Sequence, residues 1–122
     1  MRRVFLLLGV LFLAGCTNSV DVQLKPELVV FLSNDQQNTV PLSTQDSAYQ
    51  ELQGWLTENQ DDWYVTNAAF AGGLYIQNDE QGIQVTRSHV VLYQKVGDAI
   101  EATHVQAISG AELSSVKALA QP

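Results

Sequence analysis

The spacing of apolar residues predicts one main helix in the first half of the chain. Five apolar positions recur at intervals of three and four and so share one helix face: Ala48, Tyr49, Leu52, Trp55 and Leu56. Ser43 stands three residues before Asp46, as in a capping box, and marks the start of the helix. The polar, acidic run at 59–62 marks its end, because carboxylates are unfavourable at a helix C-terminus.

Strands are predicted on both sides of this helix. Residues 27–32 (ELVVFL) form a continuous apolar run of branched and aromatic side chains, which is typical of a buried strand. After the helix the apolar period changes to two, and the further predicted strands are 63–70, 74–77, 83–96 and 99–108. Glycine-containing turns at 72–73, 78–82 and 97–98 separate them, and such short connections favour antiparallel neighbours.

These elements predict a single α+β domain. A second capping-box pattern, Ser109 with Glu112, precedes a short apolar repeat and predicts a terminal helix. We therefore expect one antiparallel sheet of about five strands packed against one main helix, in the order β-α-β-β-β-β-α. Residues 27–122 are long enough for one domain with its own core and too short for two.

The chain begins with a pattern typical of an export signal. Arg2 and Arg3 are positively charged, and an apolar run over 4–14 follows, interrupted by one glycine. The run is too short to cross a membrane, since a spanning helix needs roughly 20 apolar residues. Residues 1–15 are therefore predicted to be a signal peptide that is removed.

The end of this leader, Leu13-Ala14-Gly15-Cys16, resembles the lipobox of bacterial lipoproteins. In that family the cysteine thiol receives a diacylglycerol, the leader is cleaved and the new amino group is acylated. The resemblance implies stable anchoring through Cys16, because several acyl chains bind a bilayer far more firmly than one. Thr17, where inner-membrane members carry aspartate, implies sorting to the outer membrane with the domain in the periplasm. Display on the cell surface stays open.

Residues 16–26 are predicted to be the acylated cysteine and a polar tether with a reach of roughly 30 Å. Without its leader the chain keeps four of six basic residues against thirteen acidic ones, a formal charge of −9. This charge argues against nucleic acid as a partner, since phosphate backbones need clustered lysine and arginine. Cys16 is the only cysteine, so no disulfide is expected.

The strongest candidates for a binding site are Arg87 and His89, two polar residues that interrupt an apolar alternation. The pair either lines a pocket at one end of the sheet, where arginine could hold an anion, or is turned outward by a bulge near Ser88. The second interpretation is favoured. Gly72 and Gly73 lie in a stretch with little side chain, which permits either close helix packing or a shallow groove for a partner.

The sequence predicts neither a metal site nor a cofactor. Two isolated histidines do not supply the three or four ligands of a zinc site, and 78–82 lacks the spacing of a calcium loop. No serine stands in a nucleophile-elbow motif, and we expect no enzymatic activity. An aromatic group could stack on a sugar but is favoured as core: Tyr49, Trp55, Trp63 and Tyr64.

The sequence is thus interpreted as a lipid-anchored, non-enzymatic module that binds another envelope protein. Its partner surface is expected near Arg87, His89, Gly72 and Gly73. The alternative is an inhibitor or immunity-type lipoprotein that neutralises a periplasmic toxin or hydrolase. Small size, acidity and a membrane anchor suit both interpretations.

Overall fold

The computed structural model describes residues 18–32, 38–68 and 70–120. Within these ranges seven strands form one antiparallel sheet: β1 Glu27–Leu32, β2 Thr39–Ser43, β3 Tyr64–Val65, β4 Leu74–Asn78, β5 Gln81–Val85, β6 His89–Val96 and β7 Ala99–Ala107. The order across the sheet is β2-β1-β4-β5-β6-β7-β3. The helices in the same ranges are α1 Ser47–Glu58 and α2 Ser114–Ala118. The predicted signal peptide, Cys16 and residues 33–37 lie outside the described residues.

The α+β fold with an antiparallel sheet is confirmed, but the prediction of five strands is wrong. The described residues form seven strands in the order β-β-α-β-β-β-β-β-α. The additional strand before the helix, β2, contains Pro41, which weakens its strand signal and suits its position at the sheet edge. The strand predicted over 63–70 is reduced to the two residues of β3.

The predicted strand over 83–96 is in fact a hairpin of β5 and β6. Its turn is built by Thr86, whose Oγ1 accepts hydrogen bonds from the backbone N–H groups of Ser88 (3.2 Å) and His89 (2.9 Å). Threonine and serine hydroxyls stabilise turns in this way. The turn was concealed because apolar residues alternate with polar ones before it and apolar residues continue after it.

The predicted helix is confirmed with its buried face, which comprises Ala48, Tyr49, Leu52, Trp55 and Leu56. Its predicted start at Ser43 is wrong, because Ser43 ends β2 and α1 begins at Ser47 with Asp46 as its N-cap. The backbone N–H of Ser43 does donate to Asp46 Oδ2 over 2.8 Å, as it would in a capping box. At the other end, both the backbone N–H and Nδ2 of Asn59 donate to the carbonyl of Trp55, each over 2.9 Å. These bonds satisfy a carbonyl that the helix end leaves free.

The core lies between the helices and one face of the sheet, which we call the helix-covered face. Its strand residues are Leu28, Val30, Leu42, Leu74, Ile76, Ile83, Val85, Val90 and Leu92, all buried. Burial of each such aliphatic side chain stabilises the fold by about 1.5–3 kcal/mol relative to exposure. Trp63 lies in the same cluster and packs edge-on against Trp55, with ring centroids 5.7 Å apart. Of the aromatic group considered in the sequence, only Tyr64 is exposed; the other three members are core residues.

Residues 18–26, which the sequence placed in a polar tether, pack onto the domain instead. Val22 is buried in the core cluster, and Val20 and Leu24 pack against that cluster. Asn18 and Trp63 exchange two backbone hydrogen bonds, of 2.6 and 3.1 Å. The physical reason is the alternation of these three apolar residues with polar ones, a short strand-like pattern that buries one side.

A buried asparagine holds the middle of this N-terminal segment. Asn78, on β4, is 1% exposed; its Nδ2 donates to the carbonyl of Gln23 (3.1 Å), and its Oδ1 accepts from the N–H of Lys25 (2.8 Å). The hydroxyl of Tyr49, on α1, donates to the carbonyl of Lys25 over 2.8 Å. A buried amide is costly unless it is bonded, so this pairing selects one position for the segment.

Two glutamates join α1 to α2. Glu51 on α1 accepts from two N–H groups in the first turn of α2, those of Ser115 (2.8 Å) and Val116 (3.1 Å). Glu112 accepts from the backbone N–H of Ser109 (2.8 Å) and from the indole N–H of Trp55 (2.9 Å). These two bonds hold the pKa of the Glu112 carboxyl below its usual value. The expected pairing of Ser109 with Glu112 is present, although α2 itself begins at Ser114.

We expect Glu112→Ala to lower the free energy of unfolding at pH 7 by about 1 kcal/mol, because two hydrogen bonds to a solvent-screened carboxylate are lost. Since the folded pKa lies below the unfolded one, this contribution is complete above the unfolded pKa and disappears as the pH falls through the folded pKa. Urea denaturation over a pH series measures it. Glu80→Ala, at an exposed turn glutamate, is the control; an unchanged pH dependence in Glu112→Ala would contradict the assignment.

Candidate functional site

The face of the sheet opposite the helices carries a row of aromatic and polar side chains. The strand register places Phe31, Tyr75, Gln84 and Val91 side by side on β1, β4, β5 and β6. Each alternates with a residue of the helix-covered face, so the row lies on the opposite side. We call this surface, with Tyr93 included, the aromatic face.

Tyr75 is the centre of the aromatic face. Its ring lies 6.3 Å from that of Phe31, in a tilted arrangement, and 5.6 Å from that of Tyr93, in an edge-on arrangement. Such geometries are favourable beyond the area that they bury. Burial, and next the neighbouring Tyr93, raise the pKa of Tyr75, and burial is also the main cause of a raised pKa at Tyr93. Both phenols are therefore neutral near pH 7.

A glycine lets the two tyrosines meet across the strand between them. Gly82 on β5 pairs with Gln77 on one side and Tyr93 on the other. A Cβ atom at Gly82 would lie 1.8 Å from the hydroxyl oxygen of Tyr75, so any other residue would displace that ring. The close approach explains the glycine within a strand.

The connection between β3 and β4 crosses this face. We call it the crossing segment (66–73, of which 69 lies outside the described residues). Gln84, which is 8% exposed, donates from Nε2 to the carbonyls of Phe70 (2.9 Å) and Gly72 (3.0 Å). Its Oε1 accepts from the hydroxyl of Tyr93 over 2.7 Å. One buried amide thus fastens the segment to the sheet with two hydrogen bonds, and a third, from Tyr93, holds the amide itself in place.

Gly72 and Gly73, for which the sequence allowed a shallow groove, have a conformational role in the crossing segment. Their φ angles are +94° and +74°, which side-chain-bearing residues rarely adopt. A Cβ atom at Gly73 would lie 2.0 Å from the carbonyl oxygen of Val85. The glycines let the chain turn sharply into β4, and the segment containing them is not a strand.

The structure separates Arg87 from His89. Arg87 lies in the β5–β6 turn and lines a cavity of about 360 Å³ on the helix side of the sheet, together with Gly73 and Lys117. His89 begins β6 on the aromatic face, where its ring lies 5.4 Å from that of Phe70. The bulge expected near Ser88 is wrong: a three-residue turn joins β5 to β6 and places the two residues on different sides of the sheet.

Ser88 and His89, which are adjacent in sequence, contact each other through their side chains. As neighbours on a strand they would point to opposite faces, but Ser88 lies in the turn, and its Oγ is 2.8 Å from Nδ1 of His89. Among the described residues, no three His, Cys, Asp or Glu side chains are grouped to hold a metal ion. The other histidine, His104 on β7, has a pKa lowered by burial.

Sequence reasoning missed the aromatic face, although a signal was present. Phe31, Tyr75 and Tyr93 each stand next to a buried residue of their strand, which places them on the opposite face. Which of them touch depends on the register between β1, β4 and β6, and strands distant in sequence carry no local signal of their pairing.

Comparison with known proteins finds no matching family, no matching curated protein and no matching solved structure. Within the described part of the chain, neither helix has the length and apolar character needed to cross a membrane. The functional interpretation therefore depends on the geometry of this chain.

We expect Gln84→Leu to destabilise the protein by about 1–3 kcal/mol, because the substitution leaves the hydroxyl of Tyr93 and two carbonyls without their partner. Amide hydrogen exchange should accelerate in the crossing segment more than in β1 or α1. Gln77→Leu, at an exposed glutamine of the neighbouring strand, should change stability by less than about 0.5 kcal/mol. Equal exchange in the two variants would show that Gln84 does not fasten the segment.

Proposed function

We propose that this chain is a lipid-anchored envelope protein whose domain binds another protein, without enzymatic activity, in the periplasm. The anchor is the acylated Cys16 in the outer membrane, as the lipobox implies; Cys16 lies outside the described residues. The observation that carries the binding role is the aromatic face, which the helices leave uncovered.

The β1 side of the aromatic face has the character of a protein-binding surface. Val29 is 41% exposed, and Phe31 and Tyr75 beside it are half-buried. Tyrosine and other aromatic residues supply much of the energy at protein interfaces, particularly where their side chains are already held in place. The contacts of Tyr75 with Phe31 and Tyr93 hold its ring in this way.

Charge narrows the chemistry of the partner. Without its leader the chain carries a formal charge of −9, from four basic and thirteen acidic residues. A neutral aromatic centre on an acidic domain suits a partner with an apolar patch surrounded by lysine or arginine. Electrostatic attraction would mainly raise the association rate, whereas the aromatic contacts would determine how long the complex lasts.

The positions of Arg87 and His89 support a binding role rather than catalysis. Arg87 lines a cavity on the helix side, and His89 packs against Phe70 on the other side of the sheet. A site in which both acted on one substrate would require them to converge. The contact of His89 with Ser88 is accounted for by the turn between β5 and β6.

A photo-reactive amino acid placed at position 31 or 75 of the full chain should cross-link one defined envelope protein in intact cells. Position 57, an exposed threonine of α1, is the control and should yield only background. Val29→Asp should reduce the yield about tenfold, because a buried unpaired charge is costly at an interface. Thr44→Asp, at an exposed residue between β2 and α1, should leave it largely unchanged.

Equal yields at positions 31, 75 and 57 would contradict a binding site on the aromatic face. Capture of a toxin or hydrolase would support the inhibitor interpretation of the sequence. Capture of a resident envelope component would support the accessory role.

A further inference from the structure

We propose that the anchored domain lies directly against the bilayer, with edge strand β3 (Tyr64–Val65) in the layer of lipid head groups. This inference rests on the lipid anchor of the proposed function. It adds an orientation and a second contact surface, distinct from the aromatic face.

The first argument is the length of chain between the anchor and the fold. Asn18 is joined to Trp63 by backbone hydrogen bonds in both directions, of 2.6 and 3.1 Å. Cys16 precedes Asn18 by two residues, which span at most about 7 Å when fully extended. An acylated Cys16 would therefore hold the Asn18 end of the domain at the membrane surface.

The second argument is the character of the surface at that end. Tyr64 and Val65 follow Trp63 directly, and they are 52% and 70% exposed. Tyrosine is enriched at membrane interfaces because its ring is apolar and its hydroxyl can bond to head groups and water. The bilayer is the occupant that this site favours, because the anchor brings lipid to it permanently.

Acidic residues at the same end determine which lipids are preferred. Asp61 and Asp62 are exposed immediately before Trp63, and Asp61 accepts a hydrogen bond from the hydroxyl of Ser19 in the docked segment. Glu58 is exposed at the last turn of α1. Negative charge near the surface is repelled by anionic head groups, and salt screens this repulsion. The contact should therefore be closest on zwitterionic bilayers.

The test uses the full acylated protein in phosphatidylcholine vesicles. A nitroxide label is attached to Tyr64→Cys or Val65→Cys, and power saturation measures its accessibility to oxygen relative to a soluble nickel complex. The thiol of an acylated Cys16 is blocked, so the label reacts only at the introduced cysteine. Thr44→Cys is the control. Thr44 is exposed and precedes α1, and the 12 residues of that helix separate it by roughly 18 Å from the C-terminal end of α1.

We expect the oxygen-to-nickel ratio at positions 64 and 65 to rise severalfold on reconstitution, while the ratio at 44 stays unchanged. Insertion of about ten glycine and serine residues between Thr17 and Asn18 should remove the rise, because the tether then spans roughly 17 Å. Phosphatidylglycerol should reduce the rise at low salt.

An unchanged ratio in protein whose intact mass shows the acyl chains would overturn this inference alone. A mass without acyl chains would overturn the anchor as well.

Discussion

The docking of residues 18–26 onto the domain is the interaction on which the rest of the structure depends. Val22 fills part of the core between α1 and the sheet, and the buried amide of Asn78 fixes the backbone on either side of Leu24. The segment thus completes the core and determines where the chain leaves the fold. If it were a free tether, the core would lose part of its cover, and the point at which the chain leaves the fold would not be fixed.

The two faces of the sheet are covered in different ways. Helices cover one face, where aliphatic burial supplies most of the stabilisation. The other face is covered partly by the crossing segment, and there a single glutamine, Gln84, satisfies two carbonyls and the hydroxyl of Tyr93. These hydrogen bonds favour one arrangement of the crossing segment, because a buried polar group without a partner is costly. The crossing segment leaves the β1 side of this face, with Phe31 and Val29, uncovered.

The local spacing of apolar residues predicted the elements that bury one regular face. It failed where a side-chain hydrogen bond or the pairing of distant strands determines the structure. The face of α1 was predicted completely because its 12 residues keep one period. The β5–β6 turn was missed because the hydroxyl of Thr86, rather than a glycine or proline, makes it. The same turn separates His89 from Arg87, so the two residues do not line one pocket. The aromatic face was missed because register between distant strands, rather than local period, brings Phe31 to Tyr75.

Amide hydrogen exchange of residues 18–26 in the full-length protein tests this account most directly. If the segment is docked, the amides of Val20 and Lys25, which donate to Gln60 and Asn78, should exchange nearly as slowly as those of the core strands. The amide of Gln50, on the exposed face of α1 but bonded within the helix, provides an internal comparison. Exchange of Val20 and Lys25 at the rate of an unstructured peptide would contradict the account, since residues 18–26 would then not be docked on the domain.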